Sequence, residues 1–594
     1  MAIITMGASG EAAEDIGVSY NEVRLGSLHE KIIGWDADES MIWDRDPEVA
    51  RQFLRAVDEV QKIIEHLGEG QQELLRYAKS VLHMGLSRLE DEFVHVLIRN
   101  RQPIASDRMS EDVSFRSTAS DDSLNYYSSR SFDEESIRGK LRCESGTGSE
   151  EFVTVDLVHP DAILDLKSIA RTMFRSKYDR ECCQAYTSVR KDALDERLSA
   201  LRMERLSIEE VLEMDWRDLN STIKRWCRAL RVFVRAYLAS EKRLCELVFG
   251  DLSGTTTTDY LFHDSSERSI LQLLSFGEAV AIGSPRPEKL FRVLDMHEVL
   301  SDLVTEIESL FPEGAGSSVA AECDHILFRL SECVRGTFTE FKIAIQSSAS
   351  ATPFSGGGVH PLTKYVMNYI TALVDYTQTL NSLLRSKDET DRHVPTPLAR
   401  HLHSVASILE KNLDDRAMLY KDGAIQNLFK MNNICYMVQK VKDSEELRAV
   451  VGDDWIRTYG GRFRRCATSY ERASWSTMLS FLKDEGVCVR GGSNAPSRAI
   501  LKERFKGFNA AFEEVYRTQT GWIVPKLELR EDLRISISVK LLQAYRTFVG
   551  RYASHLDGPR RRDGYVKYCP EDLEGYLMDL FEGVPKAMMH PRRR

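Results

Sequence analysis

Two segments near the amino end of the chain place apolar residues at alternating steps of four and three, the a/d spacing of a helical seam. Pro47 follows two aspartates, which suits a helix start, and Gly68 to Gly70 separate the two segments. Such a seam must be covered by the rest of this chain or by another protein, and two isolated heptad helices favour another protein. We therefore predict contact with a second protein through these seam residues: Phe53, Val57, Val60, Ile64, Leu67, Leu82, Leu86, Leu89, Phe93 and Val96.

From about residue 155 onward the apolar pattern is helical almost throughout. Segments such as 288–311 and 499–519 keep their apolar residues on one face. Alternating strand patterns are almost absent, and the best of them, Trp522 to Val524, ends at Pro525. Successive helices joined by short loops predict an all-α fold, an elongated rod of stacked helical bundles preceded by a short amino-terminal coiled-coil segment.

The pattern also divides the chain into regions. Residues 101–150 contain 12 Ser and 10 Asp/Glu with few apolar residues to bury, which is typical of a linker. We predict a disordered tail over 1–43, amino-terminal coiled-coil helices over 44–100, a Ser/acid-rich linker over 101–150, a first helical bundle over 151–285, middle helical bundles over 286–430, and carboxyl-terminal basic helical bundles over 431–594.

Composition limits the class of protein. The chain has 594 residues, of which 42% are hydrophobic and 29% charged, and its formal net charge is −11. These values are typical of a soluble globular protein and exclude disorder throughout. No window approaches the roughly 18 uncharged apolar residues that a bilayer span needs. The first residues lack the basic region of a secretory signal, and the 11 cysteines include no CxxC pair, so we expect reduced thiols in the cytosol.

The net charge conceals an uneven distribution. Residues 456–594 contain 26 Lys/Arg against 16 Asp/Glu, a net charge of +10. Residues 1–455 therefore contain 54 Lys/Arg against 75 Asp/Glu, a net charge of −21. A basic end on an acidic chain indicates an anionic partner, either nucleic acid or the cytoplasmic leaflet of a membrane. The alternative is a set of solvated helix faces whose charges do not balance.

The sequence contains no recognisable catalytic motif. A Walker A loop, a strand-associated GxGxxG, a GxSxG elbow, an HExxH pair and a kinase signature are all missing. Gly356 to Gly358 lack the Gly-Lys-Ser/Thr of a phosphate loop, and we interpret them as a flexible turn before a helix start. His401 and His403 are two residues apart and so lie on different faces of a helix. We predict a protein that is not an enzyme, with no catalytic residue, metal or cofactor.

Several helical segments have residue identities that helix formation and packing alone do not require. In their order and spacing, these segments closely resemble those of the Exo70 subunit family of the exocyst, in its expanded plant form. The resemblance covers about residues 150–585. The segments that carry it are WCRALRVFVRAYLASEKRLCELVF (226–249), FGEAVAIGSPRPEKLFRVLDMHEVLSDLVTEIESLF (276–311), VRGTFTEFKIAI (334–345), GGGVHPLTKYVMNYI (356–370), MNNICYMVQKV (431–441), GDDWIRTY (452–459), FNAAFEEVYRTQTGWIVPKLELREDLRISIS (508–538), AYRTFVGRY (544–552) and YVKYCPEDLEGYLMDLFEG (565–583).

The resemblance implies a function as well as a fold. Members of the family belong to an octameric complex that tethers secretory vesicles to the plasma membrane, and they are not enzymes. Their amino-terminal helices pair with other exocyst subunits, which gives the seams within residues 47–99 a partner. Their carboxyl-terminal end contacts phosphatidylinositol 4,5-bisphosphate and Rho-type small GTPases. The resemblance thus implies a cytosolic protein recruited peripherally to the plasma membrane, with no nucleic acid as partner.

The family's lipid-binding element can be compared with this chain residue by residue. Family members that bind the phosphoinositide have a Lys-Tyr-x-Lys-Tyr-like element, and this chain reads Gly-Tyr-Val-Lys-Tyr over residues 564–568. Lys567 matches the second lysine, whereas Gly564 stands where the first would be. Nearby arginines would restore positive charge, each contributing about 1 kcal/mol near an anionic surface. The predicted lipid-binding residues are therefore Lys567, Arg560, Arg561, Arg562, Arg592, Arg593 and Arg594.

A second function stays open at this point. Plant genomes hold many Exo70 copies, and a copy that has drifted from tethering would serve as a protein-binding platform in defence or trafficking signalling. In that role a helix-lined apolar groove would capture a peptide of an immune regulator or a pathogen effector. The glycine at position 564 and the Ser/acid-rich linker are compatible with such drift.

Overall fold

A computed structural model describes residues 10–36, 40–67, 71–102, 155–312, 317–385, 395–487, 496–556 and 564–587. Helices make up nearly all of this structure, and strand pairing among the described residues is limited to two isolated antiparallel bridges. The predicted all-α class is therefore confirmed. The described residues form two compact units, of which unit 1 ends at Gly336 and unit 2 begins at Thr337. All but the first two residues of the predicted linker, 101–150, lie outside the described residues.

Unit 1 is built from consecutive helices. Asp46 caps the second of them, since its carboxylate accepts a hydrogen bond from the Glu48 amide at 2.9 Å, and Pro47 occupies the first helical position. A π-helical turn over Phe233–Leu238 joins α7 to α8, and α8 is kinked at Gly254, where φ is +73°. The helices are α1 (Gly10–Asp36), α2 (Pro47–His66), α3 (Gln72–Arg99), α4 (Pro160–Arg175), α5 (Asp179–Ala200), α6 (Ile208–Glu213), α7 (Trp216–Val232), α8 (Ala239–Ile282) and α9 (Leu290–Leu310), followed by α10 (Ser317–Ser347), which continues into unit 2.

The first helix corrects the prediction of a disordered tail over 1–43. Within that range α1 spans Gly10–Asp36, and a short 3₁₀ turn begins at Ile42. Leu25, Leu28 and Ile32 of α1 are buried. Their spacing is helical, but glycines and acidic residues around them dilute the pattern, so the helix becomes recognisable only when α2 and α3 are present to cover it.

The predicted boundary between residues 285 and 286 lies inside unit 1. On the two sides of that loop, α7 and α9 pack against each other. Trp226 of α7, Met296 of α9 and Ile326 of α10 all lie within 4 Å of the position that a side chain on Gly277 of α8 would take. The loop is therefore a turn within one core. The predicted boundary between 430 and 431 likewise falls inside a helix of unit 2.

Unit 1 buries an ion pair between α5 and α8. Arg190 donates hydrogen bonds to the Glu241 carboxylate from Nε at 3.0 Å and from Nη2 at 2.7 Å. The two side chains are only 3% and 0% exposed. The Tyr186 hydroxyl donates a further hydrogen bond to Glu241 at 3.2 Å. Because a buried charge is tolerated only when it is paired, this contact fixes α5 against α8.

Unit 2 is also a sequence of helices, and its last three α-helices carry the carboxyl end of the chain. Trp522 to Val524 form no full strand, although Ile523 makes one of the two antiparallel bridges, with Glu582. The helices that follow α10 are α11 (Pro361–Leu373), α12 (Thr377–Leu383), α13 (Pro397–Ala417), α14 (Gly423–Asp443), α15 (Glu445–Val451), α16 (Asp453–Ser480), α17 (Arg498–Gln519), α18 (Leu527–Tyr552) and α19 (Pro570–Met578).

The turn before α11 depends on glycine. Gly356 and Gly357 both have φ of +69°, and a side chain on Gly356 would approach Ile523 to 2.7 Å. Asn432 of α14 donates hydrogen bonds to the carbonyl oxygens of Gly357 and Ile523, at 2.8 and 2.9 Å. Asn433 accepts from the His360 amide at 2.8 Å. The predicted turn before a helix start is confirmed. Its predicted flexibility is corrected, because hydrogen bonds from Asn432 and Asn433 hold the turn in place.

Two half-buried histidines of unit 2 lie against cations. His360 Nε2 is 3.1 Å from the Arg416 guanidinium, and His401 Nδ1 is 3.1 Å from the Lys342 ammonium. Burial, together with these cations, lowers the pKa of each histidine to about 4. Both rings are therefore neutral in the fold at neutral pH.

The buried pair of unit 1 gives a stability prediction. Glu241→Gln keeps the shape of the side chain but leaves the Arg190 charge buried without its counter-charge, so we expect a loss of about 3–5 kcal/mol in the free energy of unfolding of unit 1. The matched control is Glu514→Gln, which breaks an exposed ion pair with Arg517 and should change nothing measurable. Thermal unfolding followed by circular dichroism checks both variants. Equal unfolding midpoints for the two variants would contradict a stabilising role of the Arg190–Glu241 pair.

The histidines give a pH prediction. Because their pKa is depressed in the fold, the unfolded chain takes up protons that the folded chain does not as the pH falls from about 6.5 towards 4, and stability is lost over that window. Between pH 7 and pH 5, the unfolding temperature of a His360→Asn/His401→Asn double variant should therefore fall by less than that of the unchanged protein. His66→Asn, at an exposed position of α2, serves as the control; the proposal fails if all three proteins lose the same amount.

Candidate functional site

The segment 564–568, which carries the predicted lipid element, lies along one face of α17. We call this surface the α17 face and define it by Lys502, Lys506, Asn509 and Glu513. Steps of four, three and four residues place these side chains in one row along the helix. Asn509 donates a hydrogen bond from Nδ2 to the Tyr565 carbonyl oxygen at 2.9 Å, which holds the segment against the helix.

Tyr568 anchors the end of the segment. Its side chain is 2% exposed, and its ring lies 5.8 Å from that of Phe512. The Tyr545 hydroxyl of α18 donates a hydrogen bond to the Tyr568 carbonyl oxygen at 2.7 Å. Burial, and then the neighbouring Glu513 carboxylate, raise the pKa of Tyr568 well above its usual value, so its hydroxyl remains a donor.

Lys567, the cation that matches the family element, is paired with a carboxylate. Its Nζ donates a hydrogen bond to Glu513 Oε1 at 2.6 Å, and the Tyr568 hydroxyl donates to the same oxygen at 2.9 Å. The Lys567 side chain is 30% exposed and that of Glu513 is 41% exposed. Glu513 therefore offsets the charge of Lys567 at a surface that is open to solvent.

Two lysines of α17 stand beside the position where the family's first lysine is missing. The Lys502 and Lys506 ammonium groups lie 5.4 and 5.7 Å from the centre of the Tyr565 ring, the residue next to Gly564. Among the described residues neither lysine makes an ion pair with a carboxylate. Two cations of a neighbouring helix thus lie beside the ring of the residue that follows Gly564.

Sequence reasoning missed these two lysines. Their spacing of four residues within a predicted helix, 499–519, was the available signal, but nothing in the sequence shows which segment that helix face would meet. The six predicted arginines, 560–562 and 592–594, lie outside the described residues, so their part in the site stays a prediction.

The seam residues of the amino-terminal helices are mostly covered within the chain. Ile64 and Leu67 are partly exposed. The other eight are buried: Phe53, Val57, Val60, Leu82, Leu86, Leu89, Phe93 and Val96. The seam is therefore buried mostly within this chain, whereas its spacing favoured burial by another protein. Helix α1 and the helices after α3 supply the apolar surface that covers it.

Helix α1 covers one side of that seam. The Trp35 ring packs edge-on against Phe53 at 5.4 Å, and Ile32 lies within 4 Å of the position that a side chain on Gly85 would take. The Tyr77 hydroxyl is 2.8 Å from His29 Nδ1. A second protein reaches the buried seam side chains only where α1 moves away, so their role in binding other subunits stays a prediction.

The described residues contain no group of three or more His, Cys, Asp or Glu side chains suited to holding a metal. His401 and His403 have separate partners, since His403 Nε2 bonds to the Val451 carbonyl oxygen at 2.9 Å. None of the described helices combines the length and the apolar composition that a membrane crossing requires.

Comparison with known families decides the relationship of the chain. The N-terminal model of the exocyst complex component Exo70 matches residues 11–99, and the C-terminal model of the Exo70 exocyst complex subunit matches residues 224–579. The chain belongs to the Exo70 exocyst subunit family. Both surfaces described above fall within matched regions, the seam in the first model and the α17 face in the second.

The relatives identify a plant-type Exo70 member. The chain is 36% identical to Exocyst complex component EXO70E2 of Arabidopsis thaliana, covering 100% of this chain and 93% of the relative. It is 33% identical to EXO70B1 of the same plant, covering 97% and 92%. The crystal structure of the S. cerevisiae exocyst component Exo70p matches with a TM-score of 0.58 at 14% identity, covering 95% and 100%, which shows a shared fold.

Proposed function

We propose that this Exo70 chain is an exocyst subunit that tethers secretory vesicles to the plasma membrane, and that its carboxyl-terminal end contacts anionic phosphoinositide lipid such as phosphatidylinositol 4,5-bisphosphate. It resides in the cytosol, is recruited peripherally to the membrane, and acts by binding and not by catalysis. The observation that carries the lipid contact is the pair Lys502 and Lys506 beside the segment 564–568.

The electrostatics of the α17 face support this proposal. A basic residue near an anionic leaflet contributes about 1 kcal/mol of attraction, which decays within a Debye length. Lys567 contributes little of it because Glu513 offsets its charge at 2.6 Å. The lysines beside Tyr565 have no such carboxylate among the described residues, so they supply most of the local attraction. This replaces the cation that Gly564 lacks.

Charge reversal on α17 tests the lipid contact. We expect Lys502→Glu/Lys506→Glu to weaken binding to vesicles that contain phosphatidylinositol 4,5-bisphosphate by roughly tenfold or more, since two attractive charges become repulsive. Vesicle flotation in moderate salt measures the bound fraction. The double variant Lys411→Glu/Lys421→Glu is the matched control, because both lysines are exposed and the net charge changes by the same amount.

An equal loss of binding in both double variants would show attraction to the overall charge of the protein and would contradict a site on α17. Unchanged binding in both double variants would show that these lysines do not contact lipid. The arginines outside the described residues would then be the remaining candidates.

We also propose that other exocyst subunits bind through the amino-terminal helices, residues 47–99, with α1 acting as a removable cover of the seam. The support is that α1 covers apolar side chains in heptad order, with contacts that include Trp35 with Phe53 and Tyr77 with His29. A helical seam of this kind is also the surface that coiled-coil partners use.

Opening α1 tests this contact between subunits. Leu28→Asp places a charge at a position of α1 that is 5% exposed and should release the helix, so we expect more exocyst subunits to be recovered with the tagged protein from plant cells. Val23→Asp makes the same charge change at a position that is 73% exposed and should leave the recovery unchanged. Lower recovery with Leu28→Asp than with Val23→Asp would mean that the partner requires α1 in place.

A further inference from the structure

A groove between α16 and α18 of unit 2 has no role in the function proposed above. Its floor is apolar, formed by Trp475 and Leu479 of α16 and by Ile537 and Leu541 of α18. Three of these side chains are almost fully buried, at 4%, 3% and 1% exposed for Trp475, Ile537 and Leu541. The groove is thus a preformed depression in the packed core between two helices.

The volume of the groove limits which ligands can bind in it. Its volume is about 160 Å³. An apolar cavity of about 150 Å³ accommodates one benzene ring, whereas pockets for drug-sized ligands measure about 300–1,000 Å³. One aromatic side chain fits the groove, and a cofactor or a nucleotide does not. Single large side chains seated in such pockets are the anchors of peptide recognition.

The charges at the rim define what surrounds that anchor. Glu471 forms an ion pair with Lys540, which offsets its charge, and accepts a hydrogen bond from the Ser536 hydroxyl at 2.8 Å. Arg472 is exposed at the rim, and within the described residues it makes no ion pair. The excess charge beside the groove is therefore positive.

Two more arginines extend this charge along α16. Arg464 and Arg465 are exposed and, within the described part of the chain, likewise form no ion pair. They precede Arg472 by eight and seven residues, two helical turns, so all three guanidinium groups share one side of the helix over about 10–12 Å. A positive strip thus leads away from one end of the groove.

We propose that this groove binds a linear peptide segment of a partner protein that carries one aromatic anchor followed by acidic residues. The aromatic ring fills the space above Trp475, and the acidic residues pair with Arg472 and with the strip formed by Arg464 and Arg465. The inference is independent of the lipid contact, since the groove uses α16 and α18 and none of the residues of the α17 face.

A fluorescence-polarisation titration of the full chain tests the proposal. The probe is a short fluorescein-labelled peptide with one phenylalanine followed by three aspartates, and two further probes carry alanine for the phenylalanine or asparagines for the aspartates. We expect both changed probes to bind at least about tenfold more weakly than the first, and the affinity of the first to fall as salt is raised.

Protein variants locate the binding. Ser476→Phe, at an exposed position of the rim, fills the groove and should abolish binding of the first probe, and Arg472→Glu should weaken it about tenfold. Arg546→Glu makes the same charge change on the opposite face of α18 and should have no effect. Circular dichroism confirms that each variant is folded.

Three results would overturn the proposal. The first is equal binding of the phenylalanine and alanine probes, and the second is an equal loss in Arg472→Glu and Arg546→Glu. The third is a Ser476→Phe variant that still binds the peptide but loses binding to phosphatidylserine vesicles, or loses self-association in sedimentation, because the groove would then take lipid or a second copy of the chain.

Discussion

The carboxylate of Glu513 determines how the carboxyl-terminal surface is built and charged. One of its oxygens accepts hydrogen bonds from the Tyr568 hydroxyl at 2.9 Å and from Lys567 Nζ at 2.6 Å. The first contact fixes a buried anchor and the second offsets the charge of the cation that the family element retains. The same group therefore orders the segment 564–568 and offsets the charge of Lys567, so the lipid contact that we propose rests on the cations of α17.

The position of this segment rests in turn on the helices beneath it. Tyr568 is buried against Phe512 of α17, and its carbonyl oxygen accepts from Tyr545 of α18. Elsewhere in unit 2, Asn432 holds the Gly357 turn and the Ile523 carbonyl oxygen together. Side-chain donors paired with backbone carbonyl oxygens, as in these two places, hold loop backbone against the helices.

Much of the fold could be predicted from the sequence, because helical periodicity is a local signal. The all-α class and the helices α2 and α3 follow from apolar residues at steps of three and four. The burial of Leu86 or Phe93 within the chain could not be predicted, because an apolar seam in a sequence does not show which surface covers it. Helix α1 was missed because glycines and acidic residues interrupt its apolar spacing. Lys502 was missed because the sequence does not show which segment tertiary packing brings to its helix face.

The central claim is that Glu513 restrains the attraction of this Exo70 surface to anionic lipid while Lys502 and Lys506 provide it. Vesicle flotation of Glu513→Gln tests this most directly, because glutamine still accepts from Tyr568 but no longer offsets Lys567. Glu514→Gln, the neighbouring exposed position on α17, gives the same change in net charge. The account predicts severalfold tighter binding to vesicles with phosphatidylinositol 4,5-bisphosphate for Glu513→Gln than for Glu514→Gln. Binding that is equal in the two variants, or weaker in the first, would contradict it.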